Sequence, residues 1–84
     1  MSNRYTHIRS VINSDGAALF DLKRGTLTTL NPTGALLWQG LERGDDEDKL
    51  VALLAQDTQL STEDIRTDVR AFVRQLREQS LIPG

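Results

Sequence analysis

Residues able to carry out catalysis or to hold a metal ion are scarce in this chain of 84 residues. Its single histidine is His7, and it has no cysteine. A metal site needs several imidazole, thiolate or carboxylate ligands at one place, and a covalent nucleophile needs a base to activate it. His7 has no second imidazole and no thiol to work with. We therefore interpret it as an ordinary surface or half-buried residue of an outer strand.

The acidic run at 45–48 (Asp-Asp-Glu-Asp) is the second candidate, because its carboxylates could bind a divalent cation. It lacks the alternating oxygen ligands and the central glycine of an EF-hand loop, so we interpret it as a helix start and a solvated surface. The six glycines fall singly, which excludes a glycine-rich phosphate loop. The sequence thus predicts no catalytic residue, no metal site and no cofactor, and it does not predict an enzyme.

The composition of the chain excludes further classes of protein. Ten Lys and Arg residues against twelve Asp and Glu give a net charge of -2, which argues against a general nucleic-acid binder. No stretch approaches the roughly eighteen apolar residues of a membrane-spanning helix, and the polar start at 1–4 lacks the apolar core of a signal peptide. We expect a soluble, cytoplasmic protein that forms one small domain over residues 1–84, with its core at about 6–82.

The elements that must position any binding site begin with three short strands. Apolar runs between residues 6 and 30 are separated by glycine-containing turns at 13–16 and 23–25, which predict two successive hairpins. The middle strand is expected at about Ala17 to Leu22 and the third at about Thr26 to Leu30. The third strand of such a meander has one open edge, and it contains no charge and no proline to discourage pairing.

Helical periodicity follows from residue 32 onward. Asn31 before Pro32 predicts an N-cap, and the first helix is expected at about Pro32 to Arg43, with Trp38 in the core. A second helix is expected at about Asp46 to Gln56 and a third at about Thr62 to Gln79, capped by Ser61. Residues 81–82 (Leu-Ile) are expected to fold back onto the core.

Two features could bind a partner. The open edge of the third strand could add an extended peptide as a further strand, unless twist or a helix covers it. On the third helix, one side of the apolar stripe carries arginines and Val73, which is expected to be half exposed in a groove. The alternative for this side is a solvated face whose arginines pair with nearby carboxylates.

Four segments follow one another along the chain: 19–25 (LFDLKRG), 30–35 (LNPTGA) with Leu37-Trp38, 68–73 (DVRAFV) and 81–82 (LI). Their order and spacing resemble those of the PqqD-like family of precursor-peptide recognition elements, which serve pathways of ribosomally made, modified peptides. The likeness covers about residues 6 to 82. Within the family, 30–34 (LNPTG) is most similar to the stand-alone recognition proteins of lasso-peptide pathways.

The resemblance implies an α+β fold, a winged helix-turn-helix with a three-stranded antiparallel sheet followed by three helices. It also implies that the chain binds the leader segment of a precursor peptide along the third strand, beside the third helix, and performs no chemistry. The implied partners are a leader peptidase and an ATP-dependent macrolactam cyclase. Carried over by position, the peptide-binding residues of the third strand are Thr26, Leu27, Thr28, Thr29 and Leu30. Those of the third helix come from among Arg66, Val69, Arg70, Val73, Arg74 and Arg77.

Three points stay open at this stage. A winged-helix DNA-binding protein is one alternative, with the arginine side of the third helix in the major groove. The equivalent peptide chaperone of the pyrroloquinoline quinone pathway, or of another modified-peptide pathway, is a second. The flank of the third helix that lines the groove is the third: it is either the arginine side or the opposite side, with Asp68, Ala71 and Gln75. On the third strand, we expect Thr28 to point its N–H outward, as strand addition requires, and Thr29 to point its N–H inward.

Overall fold

Three antiparallel strands followed by three helices make up the computed structural model, which describes residues 7–56 and 59–82. This confirms the predicted α+β fold class, and every predicted element is present with ends displaced by at most a residue or so. The elements are β1 (Ile8–Asn13), β2 (Gly16–Asp21), β3 (Thr26–Leu30), α1 (Pro32–Arg43), α2 (Glu47–Ala55) and α3 (Thr62–Glu78).

The sheet has the strand order β1-β2-β3, so β3 lies at one edge. A two-residue turn joins β1 to β2, and it places Gly16 at φ 134°, in a region that favours glycine. At the β2–β3 turn, the Asp21 carboxylate accepts hydrogen bonds from the backbone N–H groups of Lys23 at 2.9 Å and Arg24 at 3.0 Å. Asp21 is only 2% exposed, so these bonds give a buried polar side chain its hydrogen-bond partners.

The helices begin at side-chain caps. The Oδ1 atom of Asn31 accepts a hydrogen bond from the Gly34 N–H at 2.7 Å, with Pro32 in the first turn, as predicted. Ser61 caps α3 as predicted, and Asp46 caps α2. These caps fix where each helix starts and therefore which of its faces meets the sheet.

The core lies between one face of the sheet and the helices. Trp38 and Leu19 are both 0% exposed, which confirms Trp38 as a core residue. Leu81 is 0% exposed and Ile82 is 7% exposed, so the C-terminal segment does fold back onto the core. Among the described residues, no helix is both long and apolar enough to cross a membrane.

Candidate functional site

A strand can be added to β3 only where its backbone N–H and C=O groups point away from β2. The pairing between β1 and β2 determines which residues of β3 have this direction. The Leu22 N–H donates to the His7 carbonyl at 2.9 Å, so the backbone groups of Leu22 point towards β1. Backbone groups alternate in direction along a strand. Those of Asp21 and Leu19 therefore point towards β3, and the Asp21 carbonyl accepts the Gly25 N–H at 2.8 Å on that side.

The register between β2 and β3 shows which residues of the edge strand point their backbone groups towards β2. Leu19 lies opposite Thr28, so the N–H and carbonyl of Thr28 point inward to β2. The N–H and carbonyl groups of Leu27 and Thr29 then point outward. The expectation that Thr28 points outward and Thr29 inward is therefore wrong. The outward groups are available for main-chain pairing, which is the requirement for adding a strand.

A groove of about 220 Å³ runs between β3 and α3. Its β3 side is formed by Thr28, Thr29 and Leu30, and its α3 side includes Phe72 and Gln75. The side chains of Thr28 and Leu30 are half-buried on this face of the sheet. The groove also contains Asn31, Gly34, Leu76 and Gln79. It thus places polar amides and an aromatic ring beside the open backbone edge.

The predicted arginine side of α3 faces α2 instead of β3. Arg70 donates from Nε to Glu47 Oε1 at 2.7 Å and from Nη2 to Glu47 Oε2 at 3.1 Å. Arg66 donates to Glu47 and, at 2.9 Å, to Asp48 Oδ1. Hydrogen bonds from Arg70 and Arg66 lower the pKa of Glu47 to about 2, and the same bonds raise the pKa of both arginines.

The other predicted residues of α3 also lie away from the β3–α3 groove. Val69 is 1% exposed and belongs to the core. Val73, Arg70 and Arg77 line a separate cavity of about 260 Å³ against α1 and the start of α2. Arg74 is exposed, and the helical period places it on the arginine side. Of the predicted β3 residues, the structure therefore brings Thr28, Thr29 and Leu30 to the groove lining and leaves Thr26 and Leu27 outside it. The lining also leaves out every predicted residue of α3: Arg66, Val69, Arg70, Val73, Arg74 and Arg77.

The candidate residues carried over by position omit the residues of α3 that do line the groove. One of these is Phe72, which is half-buried and forms part of the groove wall. Gln75 and Gln79 lie on the flank opposite the arginines. The only sequence signal for them is their position beside the apolar stripe, and the arginine flank shares that property.

The acidic run and the lone histidine do not form a site of their own. Asp46 caps α2, and Glu47 and Asp48 bind the arginines of α3. His7 is half-buried next to the start of β1. Within residues 7–56 and 59–82, no group of three or more histidine or acidic side chains is placed to hold a metal ion.

A three-stranded antiparallel sheet whose third strand is open beside the last of three helices defines a winged helix-turn-helix domain. Residues 16–82 match the family described as coenzyme PQQ synthesis protein D (PqqD), and the chain belongs to this family. The predicted family resemblance is confirmed. A comparison with curated proteins gave no match.

Two solved structures resemble the chain over most of its length. The first, TbiB1 in complex with the TbiA(beta) leader peptide, is 25% identical with a TM-score of 0.88, and the match covers 100% of this chain and 96% of that one. The second, lasso peptide synthetase B1 complexed with the leader peptide, is 27% identical with a TM-score of 0.78. That match covers 87% of this chain and 86% of the other.

Proposed function

We propose that this protein captures the leader segment of a ribosomally made precursor peptide by adding it as a strand to β3. The observation that carries the proposal is the outward direction of the Leu27 and Thr29 backbone groups next to the β3–α3 groove. Both solved relatives hold a leader peptide, which supports the same class of ligand here. The protein acts as a binding module, and the chemistry belongs to the enzymes that receive the peptide.

The edge and the groove have separate roles in this proposal. Main-chain pairing with Leu27 and Thr29 provides affinity that does not depend on the peptide's sequence. Side chains of an added strand alternate between the two faces of the sheet, so every second one points into the groove. There it meets Phe72 and the Gln75 amide, and these contacts select among peptides. On α3 we therefore assign peptide contact to the Phe72–Gln75–Gln79 flank in place of the arginine flank.

The pathway we propose is lasso-peptide biosynthesis, because one of the two solved relatives is described as lasso peptide synthetase B1. The leader peptidase and the ATP-dependent macrolactam cyclase of that pathway would receive the bound precursor. We propose that the single domain works with them in the cytoplasm. A short precursor gene beside genes for a peptidase and a cyclase would support this pathway over pyrroloquinoline quinone synthesis.

Amide hydrogen exchange tests strand addition directly. The ligands are the TbiA(beta) leader peptide and peptides selected from a displayed library of random sequences of about 12 residues. We expect a bound peptide to protect the Leu27 and Thr29 amides strongly, because these gain partners. The Thr28 amide already faces β2 and should change little. Binding that protects none of the β3 amides would overturn strand addition, and failure of every peptide to bind would overturn the function.

The DNA-binding alternative makes a different prediction about salt. Arg66 and Arg70 are engaged by Glu47, so they are poorly placed to neutralise phosphates. Peptide affinity should fall only mildly between low and physiological salt, whereas binding to a DNA duplex through several phosphates falls by about a thousandfold or more. Tight, steeply salt-dependent binding to a duplex, with no peptide bound, would favour the DNA alternative.

A further inference from the structure

The cavity on the arginine flank of α3 lies outside the peptide-binding site. It has a volume of about 260 Å³ and is lined by the end of α1, the start of α2 and the C-terminal half of α3. Its apolar floor is buried: Leu50 and Val69 are each 1% exposed, and Leu41 is 9% exposed. Val73 also lines the cavity but is only half-buried, so part of its side chain is accessible. We call this cavity the side pocket.

The side pocket also has charged walls, formed by Asp45, Glu47, Arg70 and Arg77. Arg43 donates to the Asp45 carboxylate at 2.9 Å, and Glu47 holds Arg70 through both of its oxygens. In the part of the chain that the structure describes, Arg77 forms no ion pair. Both carboxylates of the pocket are therefore engaged by other arginines, and the charge of Arg77 is left unbalanced.

Arg74 adds to the positive charge beside the side pocket. It is exposed about one turn before Arg77, and it forms no ion pair with any residue of 7–56 or 59–82. Glu78 is exposed next to Arg77 and balances only one of these two charges. The flank thus keeps an excess of positive charge in a chain whose net charge is -2.

We propose that the side pocket is a docking site for an acidic segment of an enzyme that modifies the bound precursor peptide. One apolar side chain of that segment enters the pocket, and a carboxylate beside it binds Arg77. This inference rests on the proposed function, which requires the captured peptide to be passed to an enzyme. It adds a second binding surface, separate from the edge of β3.

The chemistry of the side pocket favours this occupant. An apolar side chain packed against Val73 and Leu41 removes apolar surface of both partners from water. A carboxylate accepts two parallel hydrogen bonds from a guanidinium such as that of Arg77, and charge-assisted pairs of this kind are stronger than neutral ones. A nucleic acid fits less well, because its phosphates do not fill an apolar floor and would lie close to two carboxylates.

A peptide on β3 leaves the side pocket accessible. The pocket and the β3–α3 groove have no lining residue in common, and they lie on opposite flanks of α3. Arg77 is on one flank and Gln75 is on the other. One molecule can therefore hold its peptide and the enzyme segment at the same time, as delivery of a bound substrate requires.

Binding measurements with purified enzymes test the proposal. The probes are the peptidase and the cyclase encoded beside the precursor gene, added to the protein after it is saturated with the tightest β3-binding peptide. The variants are Arg77→Gln, which removes the unbalanced charge, Arg77→Lys, which keeps it, and Val73→Ser, which makes the pocket wall polar. Lys49→Gln is the control, because it removes the same charge from an exposed residue of α2 that does not line the pocket.

We expect at least one of the two enzymes to bind the wild-type and Lys49→Gln complexes with equal affinity. Arg77→Gln should weaken this binding by about tenfold, through loss of one charge-assisted contact, and Arg77→Lys should weaken it less. Val73→Ser should weaken it as well, because a hydroxyl replaces apolar surface. The peptide should protect the Leu27 and Thr29 amides in every variant, because none of the changed residues lines the groove.

A displayed library tests the acidic character of the segment. Random sequences of about 12 residues are selected on the same peptide-saturated protein. We expect the sequences whose binding depends on Arg77 to be enriched in aspartate and glutamate around one apolar residue. Arg77-dependent sequences without an excess of acidic residues would contradict the proposal.

The remaining outcomes separate this inference from the proposed function. If the peptide protects the β3 amides but neither enzyme binds, or both bind Arg77→Gln and Val73→Ser as they bind wild type, the docking proposal is wrong and leader binding stands. If no peptide protects those amides, the proposed function fails and this inference fails with it. If Arg77→Gln instead weakens binding to a DNA duplex while enzyme binding is unchanged, the pocket belongs to a nucleic-acid surface, which also contradicts the proposal.

Discussion

Glu47 on α2 holds Arg70 on α3 through two hydrogen bonds, one to each carboxylate oxygen, at 2.7 and 3.1 Å. Arg66, one turn earlier on α3, donates to the same carboxylate. The three side chains tie the arginine flank of α3 to the start of α2. The opposite flank, with Phe72 and Gln75, is left beside β3. One acidic residue on α2 therefore helps to determine which side of α3 can meet a peptide.

The first prediction concerns the pH dependence of this cluster. Its arginines lower the pKa of Glu47 to about 2, from an ordinary value of 4.5 that we assign to the unfolded chain. The native state thus holds a proton on Glu47 less readily than the unfolded chain does. The cluster stabilises the fold above pH 4.5, and this contribution is lost as the pH falls from 4.5 to about 2.

Melting temperatures of wild type and Glu47→Gln, measured between about pH 6 and pH 2, test this assignment. Wild type should be more stable at the upper end, and the difference should shrink towards the lower end as Glu47 becomes protonated. Glu78→Gln is the control, because it makes the same change of charge at an exposed residue at the end of α3. A difference between wild type and Glu47→Gln that is constant with pH would contradict the role assigned to the ion cluster.

The helix starts could be predicted because their signals are local. Asn31 followed by Pro32 and Ser61 followed three residues later by Asp64 are capping patterns within one turn of the chain, and the structure has both caps. The flank of α3 that faces β3 could not be predicted in this way. An apolar stripe has two borders, and the contact that distinguishes them, between Glu47 and Arg70, joins residues far apart in sequence.

The direction of the β3 backbone groups was mispredicted for a related reason. The direction depends on the pairing of Leu22 with His7 in the preceding hairpin, which points the backbone groups of Leu19 towards β3. Because Leu19 lies opposite Thr28, the backbone groups of Thr28 point towards β2. A shift of one residue at either hairpin would reverse the outcome. The position of 26–30 (TLTTL) as the third strand of a meander predicts an edge strand, and the strand order confirms it, but the segment contains no information on which amides point outward.

The second prediction uses proline on the edge strand. Thr29→Pro removes an outward N–H and leaves the bonds to β2 in place, so the domain should fold and peptide binding should be lost or much reduced. Thr28→Pro removes an N–H that faces β2 and leaves the opposite carbonyl unpaired, at a cost of about 1–3 kcal/mol in folding free energy. Circular dichroism and a peptide titration separate the two effects. Normal peptide binding by a folded Thr29→Pro variant would exclude pairing at this residue.

The third prediction compares the two flanks of α3. Gln75→Ala should leave the melting temperature nearly unchanged, because Gln75 is exposed, but it should weaken peptide binding by about threefold to tenfold if one neutral hydrogen bond is lost. Arg74→Ala changes another exposed residue, on the arginine flank, and should bind peptide normally. Isothermal titration calorimetry with the same selected peptide measures both. Loss of binding in Arg74→Ala with normal binding in Gln75→Ala would show that the peptide contacts the arginine flank, which contradicts the prediction.

The last prediction concerns Gly16, where the β1–β2 hairpin approaches the end of β3. A Cβ atom at Gly16 would lie 1.9 Å from the Leu30 carbonyl oxygen, and its φ of 134° is already unfavourable for other residues. Gly25 is the matched control, because its φ is also positive, at 69°, but no atom beyond its two chain neighbours lies within 4 Å of the added Cβ. Gly25→Ala should cost about 1–2 kcal/mol, from the left-handed conformation alone.

Gly16→Ala should cost clearly more than that, because either the hairpin or the end of β3 must move. Urea denaturation gives both free energies of unfolding on one scale. If Gly16→Ala still folds, it should also weaken peptide binding, because Leu30 forms part of the groove and its backbone would be displaced. Equal losses of stability in the two variants would show that the approach of Leu30 to Gly16 is not a constraint on the fold. Since Gly25 lies at the far end of β3, Gly25→Ala should leave the affinity of the folded protein for peptide unchanged.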